Sequence, residues 1–160
     1  MAGVVEGKGV STEAGASFAA AHWGDKYELA LLRLAVQSIG EAIVITGPEL
    51  GTPGPLIEYV NPGFERMTGY TLQEVMGRSP RFLQGPLTDR CVLNRLHSAL
   101  QMAQSFHGDA VNYRKDGTPY HVEWLITPVL ENGQVLHWVA AQRDVTERKR
   151  AEERERRMVD

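Results

Sequence analysis

Residues 106–145 read FHGDAVNYRKDGTPYHVEWLITPVLENGQVLHWVAAQRDV. Three apolar stretches, Phe106–Arg114, Thr118–Val129 and Val135–Val145, are separated by Lys115-Asp116-Gly117 and Glu131-Asn132-Gly133. Asp-Gly and Asn-Gly between alternating apolar runs mark tight hairpins, because glycine and asparagine accept the positive φ such turns require. The stretch is therefore expected to fold as a three-strand antiparallel meander. Side chains alternate across a strand, so Gly108, Ala110 and Asn112 share one face. Tyr120, Val122, Trp124 and Ile126 share another, and Trp138, Ala140 and Gln142 a third. Turned inward, these faces make a wall of small residues, aromatics and two amides. Asn112 and Gln142 in such a wall each put about 1–3 kcal/mol at stake if unpaired. A planar ligand with its own donors and acceptors would pair them; so would a strand end or a buried water.

Upstream, Glu41–Thr46 (EAIVIT) and Leu56–Val60 read as strands flanking a Gly/Pro-rich loop. Pro62–Met67 and Leu72–Met76 read as short helices punctuated by Gly69 and Gly77. Ser79 is a good N-cap and Pro80 a good first helical residue. Thr88 and Asp89 offer an N-cap for a longer helix running to about Gln104, with Cys91 near its start as a semi-buried packing residue. The expected class is α+β: a five-stranded antiparallel sheet with short helices over one face and a pocket between them.

The flanks differ in composition. Residues 1–22, rich in Gly, Ala and Ser, are expected to be a disordered leader. Within 23–40, Tyr27, Leu31, Leu34, Ala35 and Ser38 recur at helical spacing, which predicts an amphipathic helix over Asp25–Ser38. The folded unit is expected over 41–146. In 147–160 the run ERKRAEERERR (Glu147–Arg157) suits a solvated connector helix with Glu-to-Arg pairs such as Glu152 with Arg156. The extra apolar residues of the first helix point to packing on the outer face of the sheet or on a second copy, hence a homodimer.

The chain has 160 residues, a net charge of −3 and a single cysteine. Mild acidity gives no reason to expect a nucleic acid or an anionic membrane as partner. One cysteine excludes an internal disulfide framework and a cysteine-rich zinc site. No apolar run approaches the ~18 residues of a membrane span, and a cytoplasmic location is the expectation. His22, His97, His107, His121 and His137 lack metal-ligand spacing, and His121 alternates to the outer face. With no phosphate loop, nucleophile elbow or paired acid and base, no enzyme is expected.

The segments Asn61-Pro62-Gly63-Phe64-Glu65-Arg66-Met67-Thr68-Gly69-Tyr70 and Glu74-Val75-Met76-Gly77-Arg78 resemble a PAS domain. Gly77-Arg78-Ser79-Pro80-Arg81-Phe82-Leu83-Gln84-Gly85-Pro86 narrows the resemblance to the light-oxygen-voltage (LOV) branch. Asn112–Gly117 and Gln142–Thr146 fit the same branch, and the resemblance covers about Glu41–Arg150. It implies a flavin between sheet and helices, and a cysteine in the motif GRNCRFLQG that bonds the ring under blue light. Pro80 stands at that cysteine, so no cysteinyl adduct is expected.

By the same resemblance, Arg81 would pair with the flavin phosphate, Gln84 with the ribityl chain and Asn112 with the pyrimidine edge. Gln142 would sit at the reactive edge of the ring and flip its amide, and Thr46 would line that part of the pocket. His97 replaces a second phosphate arginine, and Val122 a second pyrimidine-edge asparagine. Trp124 and Trp138 replace smaller pocket residues; each indole either stacks beside the flavin and donates an electron or fills the space. The expected cofactor is FMN rather than FAD, because the short Gln84–Thr88 connection leaves no loop for an adenine half. The expected function is sensing of light or redox state, relayed through the C-terminal helix to an effector such as a histidine kinase or a cyclic-dinucleotide enzyme. The alternative is a flavin-free PAS module for dimerisation or for another small ligand.

Overall fold

The structure, a computed structural model, describes residues 25–159. The expected leader, 1–22, lies outside the described residues. The chain divides near residue 36 into two units. In the first, helix α1 (Asp25–Ser38) carries Tyr27, Leu29, Leu31 and Leu32 as exposed side chains.

The second unit is built on five antiparallel strands: β1 (Ala42–Thr46), β2 (Ile57–Val60), β3 (Phe106–Tyr113), β4 (Pro119–Glu131) and β5 (Gln134–Asp144). Their order across the sheet is β2-β1-β5-β4-β3, which places β5 in the centre. The β4–β5 hairpin closes through Asn132 and Gly133, at φ 51° and 77°, the paired positive values that an Asn-Gly turn supplies. The β3–β4 turn closes through Gly117 at φ 86°, with Asp116 Oδ1 accepting from the Thr118 amide at 2.9 Å. Alternation sets the buried face as expected: Ala110, Asn112, Tyr120, Val122, Trp124, Trp138 and Gln142 are all buried.

The helices are short because caps and glycines bound them. Helix α2 (Pro62–Thr68) starts at Asn61, whose Oδ1 accepts from the amides of Phe64 (3.0 Å) and Ile43 (2.8 Å). It ends at Gly69, with φ 81°. Helix α3 (Leu72–Val75) starts in a capping box of Thr71 and Glu74. Ser79 caps a 3₁₀ turn, Pro80–Leu83, with Pro80 as its first residue. Helix α4 (Arg90–Gln101) is capped by Asp89, whose Oδ1 accepts from the Cys91 amide at 2.8 Å. It stops three residues before the expected Gln104. Ala103 adopts φ 53°, and the amides of Ala103 and Gln104 turn back onto the carbonyls of Leu100 and Ala99. This is the hydrogen-bond pattern of a Schellman ending, with alanine where glycine is usual.

Cys91 is exposed rather than semi-buried, since α4 turns Val92 and not Cys91 toward the sheet. Helix α5 (Thr146–Val159) carries the pairs Glu147–Arg150, Arg148–Glu152 and Glu153–Arg157; Glu152 meets Arg148 in place of Arg156. His121 is half-buried rather than exposed, because the start of α5 folds onto it. Its amide donates to Thr146 Oγ1 (3.0 Å), and its carbonyl accepts from the Val145 amide (2.9 Å).

Two apolar clusters hold helices to sheet. Val44, Ile57, Val60, Phe64, Val75 and Leu83 fill the space under α2 and α3. Val92, Phe106, Ala110, Tyr120, Val122 and Trp124 fill the space under α4.

Candidate functional site

A cavity of about 390 Å³ opens between the sheet and the helices, its wall drawn from both clusters. The volume falls within the ~300–1,000 Å³ of ordinary small-molecule pockets. Thr46, Arg81, Gln84, His97, Asn112, Trp124, Trp138 and Gln142 all line it, as does Pro80. Residues from six separate elements thus converge on one space.

The sheet supplies the floor. Gln142 on β5 sits opposite Trp124 on β4 and Ala42 on β1, and Trp138 sits opposite Thr46. Both indoles belong to the wall and leave the cavity open between them and the helices. Asn112, 3% exposed, and Gln142, 5% exposed, are buried far beyond what amides tolerate without partners. Asn112 Oδ1, Gln142 Oε1 and Trp138 Nε1 nevertheless have no hydrogen-bond partner among the described residues. Thr46, by contrast, is satisfied, its hydroxyl donating to the Gly47 carbonyl at 3.0 Å.

Asn112 lies opposite Tyr120 in the β3–β4 register. Burial pushes the Tyr120 hydroxyl up to about 12, against the opposing pull of the Asn112 side chain and the Arg114 guanidinium. That guanidinium lies 4.4 Å above the Tyr120 ring and donates to Asp144 Oδ2 at 2.6 Å and to the Met67 carbonyl.

The helices supply the roof and the rim. Arg81 and Gln84 reach the cavity from the 3₁₀ turn that Ser79 and Pro80 start, and His97 reaches it from α4. Val122, at 0% exposure, packs in the second apolar cluster and is not among the lining residues. Arg90 and Asn94 line the cavity as well, and the sequence reading overlooked them. The spacing Arg90, Asn94, His97 is i, i+4, i+7 and places all three on one face of α4. That period was available once His97 had been singled out.

Among the described residues, no three His, Cys, Asp or Glu side chains converge on a metal site. No described helix is long and apolar enough to cross a membrane. The orphaned amide oxygens, the indole walls and the rim arginines fit a flat, polar-edged ligand with an anionic tail.

The family model for the PAS domain matches residues 40–147. A blue-light-activated histidine kinase of Brucella anthropi is 42% identical over 113 residues, covering 70% of this chain and 23% of the kinase. A blue-light photoreceptor of Listeria innocua is 36% identical over 121 residues, covering 76% of this chain and 46% of the relative. The chain therefore spans less than half the length of these relatives. The solved LOV domain of an Erythrobacter litoralis blue-light-activated histidine kinase superposes with a TM-score of 0.62 at 30% identity, over 68% of this chain and 98% of that one. With the sheet order, the short capped helices and the cavity already in view, these matches establish that the chain belongs to the PAS domain family, on its light-oxygen-voltage branch.

Proposed function

We propose that this sensory domain holds FMN non-covalently, forms no cysteinyl adduct, and passes the light or redox state of the flavin through β5 into α5. A bound flavin supplies blue absorption and a redox couple; the residues of the chain bind it, orient it and respond. Asn112 Oδ1 accepts from the pyrimidine edge, and Gln142 presents its amide to the reactive edge. Arg81 pairs with the phosphate, and Gln84 bonds the ribityl chain. Trp124 and Trp138 wall the ring and are the nearest candidate electron donors.

The observation that carries this reading is the pair of orphaned oxygens on Asn112 and Gln142 in one cavity wall. A fold keeps two such groups unpaired at a cost of about 1–3 kcal/mol each, a cost that a ligand with complementary donors offsets. The absence of an adduct follows from position. Pro80, which lines the cavity, has no nucleophile, and the only sulfhydryl of the chain, on Cys91, is exposed on α4 and is not among the lining residues.

The response has a short route out. Gln142 lies two residues before Asp144, whose Oδ1 accepts from the Thr146 amide at 3.0 Å and so caps α5. Burial alone would raise the Asp144 carboxyl, but hydrogen bonds from Thr146 and Arg114 outweigh it and hold the group below its usual range. Helix α5 leads toward the effector, for which the Brucella relative suggests a histidine kinase. Homodimerisation through the exposed apolar residues of α1 belongs to the same proposal.

The test is an absorption spectrum of the protein refolded with excess FMN and recorded before and after blue light. A bound flavin band that shows no adduct-type bleaching supports the reading. A colourless protein that ignores FMN overturns it in favour of a flavin-free PAS module, with the indoles as cavity filling.

A further inference from the structure

The rim of the cavity carries a cation, Arg90, that the family resemblance does not supply. Arg81, Arg90 and His97 line it, and no aspartate or glutamate does. In a chain of net charge −3, an acid-free wall with two arginines is a local reversal of sign. Several cations elsewhere in the unit meet a carboxylate: Arg114 with Asp144, Lys115 with Glu74, Arg143 with Glu41, Arg148 with Glu123 and Lys149 with Asp109. Among the described residues, Arg81 and Arg90 have no such ion pair. Guanidinium groups left without a carboxylate beside a concave space suit a phosphate, which takes their planar fork in two parallel hydrogen bonds. A second observation in the same cavity independently calls for a ligand: the unpaired oxygens of Asn112 and Gln142, both more than nine-tenths buried.

We infer that Arg90, not His97, is the second cation for the ligand's phosphate, and that it sets the preference of this pocket for a phosphorylated flavin over the same ring without phosphate. The inference rests on the flavin reading above and adds to it a residue and a selectivity. Arg90 is the first residue of α4 and lines the cavity. His97 lies seven residues further along, about 10 Å up the axis. Arginine also stays charged at every working pH, whereas a histidine near neutrality is charged only in part.

The experiment compares FMN with riboflavin, which share the ring and the ribityl chain and differ only in the phosphate. Both are titrated into the full chain and into the variants Arg90→Gln, Arg90→Lys and His97→Gln, with flavin fluorescence as the readout. The parent should prefer FMN by about ten- to a hundredfold, the range of a charge-assisted phosphate contact. Arg90→Gln should bring that ratio toward one while riboflavin affinity stays put, which also shows that the variant is folded. Arg90→Lys should keep part of the ratio, and His97→Gln should leave it within about twofold. A ratio lost in His97→Gln and kept in Arg90→Gln overturns the assignment, as does a parent that binds both flavins alike. A chain that binds neither flavin overturns the flavin reading and the assignment with it.

Discussion

Replacing Asn112 by leucine should move stability and ligand affinity in opposite directions. The Asn112 side chain is 3% exposed and its Oδ1 has no partner among the described residues. Leucine matches its shape and removes the stranded oxygen, so the apoprotein should gain about 1–3 kcal/mol, the cost of an unsatisfied buried group. For a domain of this size each kcal/mol corresponds to about 4 °C in Tm, so the midpoint should rise by about 4–12 °C. FMN should bind about ten- to a hundredfold more weakly, because the pyrimidine edge then faces a methyl group. Urea denaturation of the apoprotein and a fluorescence titration with FMN measure the two effects on the same preparation. A less stable apoprotein would mean that water or a protein donor already satisfies Oδ1. Unchanged FMN affinity would mean that Asn112 does not face the ligand. Either result refutes the reasoning.

Asn61→Ala should cost about 3 kcal/mol or more in urea denaturation, since the side chain accepts from two amides and donates to the Glu41 carbonyl at 2.9 Å, all within the core. Acid should loosen the junction of sheet and α5. The folded Asp144 carboxyl lies below its usual value, so its contribution is complete above the ordinary carboxylate range, about pH 4, and is lost as pH falls through the folded value. The urea midpoint should therefore drop more steeply between about pH 5 and 3 in the parent than in Asp144→Asn. Pro80→Cys should give a protein whose flavin band bleaches in blue light and recovers in darkness, as the parent's does not. A Pro80→Cys protein that binds FMN yet never bleaches would place residue 80 away from the ring.

The meander was legible because its rules are local. Asn132-Gly133 and Asp116-Gly117 dictate their turns, and alternation then assigns Asn112, Trp124 and Gln142 to one face with no knowledge of the partners. The short helices were legible for the same reason, since Gly69 and Gly77 punctuate the first two and Ser79 and Asp89 each announce a cap. What the sequence hid depends on how elements rotate against one another. Helix α4 has apolar residues on more than one side, and only packing decides that Val92 faces the core and Cys91 faces solvent. Its ending was hidden because alanine carries no mark of the left-handed conformation that Ala103 adopts. Arg90 was missed because the phosphate contact was sought at one matched position, His97, instead of along the whole face that position defines.

Under the function proposed above, the sheet offers a route by which a domain with proline at position 80 would report the state of its cavity. Helix α5 is held to the sheet by Arg148 on Glu123 (3.2 Å) and Lys149 on Asp109 (3.3 Å), by the Asp144 cap, and by backbone bonds to His121. Surface ion pairs of this kind contribute about 0–1 kcal/mol each, so the hold is a matter of a few kcal/mol and not of a packed core. A coupling of about 1–3 kcal/mol is therefore enough to bias it. The anchors sit on β3, β4 and the end of β5, the same strands that carry Asn112, Trp124 and Gln142 into the cavity. In the proposed reading, adduct formation would be one way to change what Gln142 bonds to, and a change in the protonation of the ligand edge would be another. Under that proposal a reactive sulfur would set how long and how strongly such a domain is switched, whereas the Gln142 amide on β5 would set whether it is switched at all.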